Sequence, residues 1–286
     1  MTDEKNRAHN DDPHDKSTDL SRRDFVTVSL TAGLAAATGK ATAAQMPVVE
    51  TQVEITTPDG TCDAAFLHPP TGSHPGVLVW CDALGLRPAM RDIGRRIAGE
   101  GYSVVVPNPF YRVAKGQVFG PSFSFQNQAD MAKLKQLVGS LTGPGVAERD
   151  AVAYIAFLDA HSQVNKARKV GTQGYCMGGA LVVRTAAAVP DRVGAGASFH
   201  GGGLVTDGPQ SPHLLASKIK ARMYFGIASN DDMRQPDAKD KLREAFAAAK
   251  VPAEIEVYPA LHGWCVPDMP LENGKPIYSK PDAERA

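Results

Sequence analysis

Residues 169–179 read Lys169-Val170-Gly171-Thr172-Gln173-Gly174-Tyr175-Cys176-Met177-Gly178-Gly179, and residues 180–189 continue as a helix-like stretch. The first part is a short apolar run of strand type. The six residues from Gly174 match G-x-S-x-G, the nucleophile elbow, with cysteine in the serine position. A strand that turns sharply into a helix holds its middle residue in a strained conformation. Small neighbours let the backbone close around it. The sulfur is then presented at a helix N-terminus, where the dipole and free N–H groups favour an anion. A buried structural cysteine needs no flanking glycines, so the pattern points to a nucleophile.

Outward from the elbow, strands alternate with helices. Residues 50–57 alternate in polarity, residues 57–60 form a turn, and residues 62–68 make the second arm of a hairpin. Residues 76–81 and 102–106 are apolar runs of the buried-strand kind. Residues 88–99 have helical spacing, with Met90, Ile93 and Ile97 on one face, and residues 128–138 and 146–161 also read as helices. The stretch 110–126 has no clear period and is expected to cover the site. Strands follow at 194–199, 221–228 and 254–258, with a helix at 236–250. The order predicts an α/β fold, a mostly parallel central sheet with helices on both faces. In such sheets reacting groups sit at the carboxyl ends of strands.

A nucleophile needs a base, and the base needs an acceptor that orients it. In folds built on this elbow the chain order is nucleophile, acid, histidine. Downstream of Cys176, only His262 follows the last expected strand, in Ala260-Leu261-His262-Gly263-Trp264. His200 opens a Gly201-Gly202-Gly203 loop and is the main competitor; His213 sits in a Pro-flanked loop. The acid belongs after the preceding strand, where Asp231 and Asp232 stand side by side and spacing does not separate them. Asp207 is a weaker candidate in a Gly/Pro-rich loop. Two backbone N–H groups suit an oxyanion hole: Met177, at the start of the elbow helix, and Ala83, in the strand-end loop Cys81-Asp82-Ala83-Leu84-Gly85. Asp82 is then expected near the thiol. A cysteine thiolate is intrinsically more nucleophilic than serine, and activated esters or lactones suit it better than amides.

The 31 basic and 31 acidic residues balance, which leaves no electrostatic footprint for nucleic acid. Residues 1–20 are polar and carry five aspartates and a glutamate. Arg22-Arg23, then Phe25, an apolar run over 26–38 and small residues at 41–44 read in order as a twin-arginine export signal. That run is too short to anchor the chain stably in a bilayer. Residues 1–45 are therefore expected to be leader and signal, engaging the export machinery transiently. Residues 46–286 are expected to form one domain that works in the periplasm or is secreted. Cys62, Cys81, Cys176 and Cys265 are too sparse for a disulfide scaffold and fit no zinc pattern. No metal or organic cofactor is implied.

The elbow residues 174–179, the loop Asp82-Ala83-Leu84-Gly85-Leu86, the stretch Val105 to Arg112, the segment Ala228-Ser229-Asn230-Asp231 and Leu261-His262-Gly263-Trp264 together resemble the dienelactone hydrolase (carboxymethylenebutenolidase-type) family of the α/β-hydrolase fold. The resemblance spans about residues 52–270. It implies a triad of Cys176, Asp231 and His262, and hydrolysis of an ester or enol-lactone. It also implies a thiol-modulating carboxylate in the strand-end loop, a glutamate in the family and the shorter Asp82 here. Arginines near the pocket hold anionic lactones in the family, and Arg112 and Arg87 are the residues here nearest to such positions. Two other functions stand beside this reading. A non-catalytic ligand-binding protein on the same fold would bind without turnover. A thiol redox protein would use Cys81 or Cys265 as a resolving cysteine, but no C-x-x-C is present.

Overall fold

Successive side chains along a strand point to opposite faces, and this divides the core between the two faces of one sheet. The computed structural model describes residues 45–272 and 274–286, so the expected leader and signal lie, apart from Gln45, outside the described residues. Strand β1 (Val49–Thr57) and β2 (Gly60–His68) form the edge hairpin, with register from Val49 opposite His68 to Thr57 opposite Gly60. β2 pairs antiparallel with β4 (Ser103–Pro107). From there β3 (Gly76–Trp80), β5 (Val170–Tyr175), β6 (Val193–Phe199), β7 (Arg222–Ala228) and β8 (Ala253–Tyr258) run parallel. The order across the sheet is β1-β2-β4-β3-β5-β6-β7-β8.

Every residue of β3 and β4 is buried, as a strand covered on both sides requires. Leu78, Trp80 and Val105 face α3 (Val146–Ala160) and α4 (Met177–Ala188) in one cluster with Tyr154, Leu158, Val182 and Ala186. Val77, Val79, Val104 and Val106 face the other way, onto Met90 and Ile93 of α1 (Pro88–Gly99). Trp80 is fully buried, and its indole N–H donates to Thr185 Oγ1 at 2.9 Å, which ties β3 to α4. The remaining helices are α2 (Gln128–Gly139), α5 (Ser229–Arg234), α6 (Ala238–Ala248) and α7 (Lys280–Arg285).

The elbow helix starts at Met177, and Gly178 and Gly179 belong to its first turn. The structure differs from the sequence expectation in two places. Residues 229–232, expected as a loop, belong to α5, a helix of one and a half turns starting directly from the end of β7. His213 lies in a 3-10 helix, Pro212–Lys218, with proline at its start.

Candidate active site

Cys176 is the junction between β5 and α4, and its backbone sits at φ 52°, ψ −116°. A non-glycine residue held there carries roughly 1–3 kcal/mol of strain, so the surroundings must enforce it. The flanking glycines show how. A Cβ on Gly174 would stand 2.3 Å from the Gly178 carbonyl oxygen, and one on Gly178 would stand 2.6 Å from the Trp80 carbonyl oxygen. The turn therefore closes only without side chains at both places. The Cys176 N–H donates to the Phe199 carbonyl at 3.1 Å, and the Gly202 N–H donates back to the Cys176 carbonyl at 3.0 Å.

The loop after the last strand places His262 beside α5. His262 Nδ1 lies 2.6 Å from Asp231 Oδ2, and the Cys176 side chain also interacts with the imidazole and favours its charged form. Since Nδ1 faces the carboxylate, Nε2 is the nitrogen turned to sulfur. Burial opposes charge on this ring, but the hydrogen bonds to Asp231 and Cys176 outweigh it and push its pKa up to about 10. Asp232 turns away and pairs with Lys239 Nζ at 2.7 Å, so the structure separates two aspartates that spacing could not. His213 Nδ1 instead meets Ser211 Oγ at 2.7 Å. Asp207 stays on the exposed surface. The N–H groups of Ala83, in the turn after β3, and of Met177, the first residue of α4, have no acceptor among the described residues. Among the described residues no three His, Cys, Asp or Glu side chains gather as a metal site needs. The arrangement suits acyl transfer: a thiol, an imidazole oriented by a carboxylate, and two unspent backbone donors.

The sequence profile of the dienelactone hydrolase family matches residues 63–286. The chain belongs to the dienelactone hydrolase family. A carboxymethylenebutenolidase of Rhodococcus opacus is 29% identical over 202 residues, covering 70% of this chain and 74% of that protein. A dienelactone hydrolase-like promiscuous phosphotriesterase from metagenomic libraries superposes with a TM-score of 0.67 at 22% identity, over 83% of this chain and 93% of that one. An acetyl xylan esterase from Paenibacillus sp. R4 superposes with a TM-score of 0.52 at 17% identity, covering 75% and 79% of the two chains. The two structural likenesses are of fold. Family membership makes the chain a hydrolase on an α/β-hydrolase sheet.

Three expectations drawn from the dienelactone hydrolase resemblance need correction. Asp82 is not turned to the thiol. It is 1% exposed, and both its oxygens are taken by Arg87, at 2.7 and 2.9 Å, while Oδ1 also accepts the Leu84 N–H. A carboxylate one methylene shorter than the family's glutamate is captured locally by a bidentate pair. Arg87 is accordingly no substrate clamp. It is 4% exposed and its other edge holds Asp268, at 2.9 and 2.7 Å. Arg112 points out over the edge hairpin, where it grips buried Asp150 at 2.8 and 2.7 Å and Asp59 at 2.7 Å, and stacks on Tyr111.

The sequence reading passed over Asn230, although it stands in the quoted segment before Asp231. Its Oδ1 accepts the His262 N–H at 2.9 Å, so α5 holds both the backbone and the ring of His262. It also missed Asp268, whose only signal was its place six residues after His262 in an irregular loop. The stretch 110–126 reaches the site side through Phe110 and Val118, which pack on the Gly85 turn. A surface hollow of about 560 Å³ lies elsewhere, between β1 and α3 and lined by Val53, Phe157 and His161. Neither Cys176, Asp231 nor His262 lines it.

Proposed function

We propose that this family member hydrolyses a carboxylic ester or enol-lactone through a Cys176–His262–Asp231 triad and a thiol-ester intermediate. The observation that carries the reading is the His262 imidazole, held at 2.6 Å by Asp231 and interacting with the Cys176 side chain. The Cys176 thiolate attacks the carbonyl carbon, forming a C–S bond while the π pair moves to oxygen. The Ala83 and Met177 N–H groups receive that oxyanion. Collapse breaks the bond to the leaving oxygen, which takes the proton from His262 Nε2. A water then gives its proton to Nε2 and attacks the thiol ester, and the carboxylic product leaves as the thiolate is restored. Asp231 stays ionised and holds the ring in the needed tautomer.

The relative from Rhodococcus opacus is named for a butenolide substrate, and an enol-lactone leaves as a stabilised enolate, which suits a thiol nucleophile. Cys176→Ala and His262→Ala are each expected to lower p-nitrophenyl acetate hydrolysis by about 10³-fold or more. Rapid quenching of the wild type should trap one acetyl group on Cys176, seen by peptide mass spectrometry. Unchanged turnover in Cys176→Ala would end this reading, and ligand binding without turnover by the wild type would favour a binding protein. We further propose that the Arg22-Arg23 segment exports the chain by the twin-arginine route, so that it acts outside the cytoplasm. Replacing both arginines by lysine should leave the protein in the cytoplasmic fraction; a periplasmic double-lysine variant would contradict it.

A further inference from the structure

His200 is not a reacting group in the triad, yet it touches two of them. Its side chain is 0% exposed, and its backbone sits at φ 40° with its N–H bonded to the Gly226 carbonyl at 2.8 Å. Nδ1 accepts a hydrogen bond from the Cys176 N–H at 3.1 Å. The same ring meets the His262 imidazole edge to face, 5.0 Å between centroids at 61°, and meets Trp264 at 5.1 Å. Nε2 is buried without a partner among the described residues. Two unfavourable features thus meet in one residue, a left-handed backbone and an unpaired buried polar atom. Such features persist where the surroundings have a use for them. Glycine would relieve the first and an apolar side chain the second, and neither occupies the position.

We propose that His200 is a positioning residue that holds the Cys176 backbone and the His262 ring in register, so that thiol and imidazole meet. This rests on the triad reading above. Because Nδ1 accepts, the ring proton is on Nε2 and the ring is neutral. Burial, and then the nearby His262, hold its pKa well below the ordinary histidine value, which keeps that acceptor available. A protonated His200 would turn an N–H toward the Cys176 N–H and set a second positive charge beside the His262 imidazolium. The Cys176 N–H also has the Phe199 carbonyl, so the elbow can stay folded without His200 while losing its exact aim. A misplacement near 1 Å costs on the order of 10² in rate.

The test compares His200→Asn with His200→Leu, measuring kcat and KM for p-nitrophenyl acetate alongside melting temperature. Asparagine keeps an acceptor near the Nδ1 position and tolerates the positive φ; leucine keeps the bulk but no acceptor. The expected result for His200→Leu is a kcat lower by about 10- to 100-fold with KM within about twofold, recovered in large part by His200→Asn. A wild-type kcat in His200→Leu overturns the proposal, as does equal slowness in two variants that melt like the wild type. If His200→Leu does not fold, ¹⁵N NMR of the wild type decides. Nδ1 should be unprotonated at the working pH, and a protonated Nδ1 overturns the assignment. An active Cys176→Ala would sink the triad itself; an inactive one beside a fast His200→Leu would sink only the positioning role.

Discussion

Cys176 works among three other cysteines that burial holds back. Cys62 and Cys265 are both pushed up to about 12 by desolvation, and Cys81, fully buried, is raised as well. Their thiols stay protonated at ordinary pH, which holds these three out of thiolate chemistry. The His262 pKa rises from 6.5 to about 10 in the folded protein, so the fold favours the imidazolium. That contribution to stability is complete below about pH 6.5 and is lost as pH rises toward about 10. Asp231→Asn removes the strongest of the interactions that raise it. The His262 midpoint, followed by NMR on ¹³Cε1-labelled protein, should move down, and the alkaline loss should begin at lower pH. A midpoint unmoved from the wild type would show that Asp231 does not hold the ring.

At the scale of elements, Arg87 is a brace between two loops. It joins the strand-end turn after β3, through Asp82, to the loop after β8, through Asp268. One of those loops carries the Ala83 N–H and the other carries His262. Asp82 is 1% exposed, so Arg87→Met would leave a buried carboxylate without its counter-ion, at a cost of roughly 3–5 kcal/mol. The side chain of Asp268 is 43% exposed, so Asp268→Asn should cost about 1 kcal/mol or less. Urea unfolding of the two variants checks the contrast; equal losses would mean that the brace has no buried half. α5 shows why some elements were illegible. Ser229-Asn230-Asp231-Asp232 has the composition of a turn, and no period emerges from six residues. Its helical form is set by its neighbours: Ser229 N–H on the Ala260 carbonyl and His262 N–H on Asn230 Oδ1.

Across the whole molecule, the sheet order brings distant segments to one edge. The turns after β3, β5, β6, β7 and β8 lie at the carboxyl ends of parallel neighbours, so residues 82–87, 176–179, 200–203, 229–234 and 260–264 converge. The hairpin β1-β2 lies at the far end of the sheet. Arg112, beside a motif that resembles the family's, is held there by Asp59 of the hairpin turn and by Asp150.

The sequence by itself determined the alternation of strands and helices, the glycine-flanked cysteine and the order of cysteine, acid and histidine. These are local: periodicity, small residues at a sharp turn, and position after a strand are all readable within a few residues. Only the tertiary structure decided between Asp231 and Asp232, spent Arg87 and Arg112 on carboxylates, turned Asp82 away from the thiol and put His200 against Cys176. Those outcomes depend on which charged or polar group finds a partner first in a crowded, partly dry space. A bidentate ion pair or a 2.6 Å hydrogen bond is won by the neighbour that folding supplies, and sequence distance says nothing about who that neighbour is.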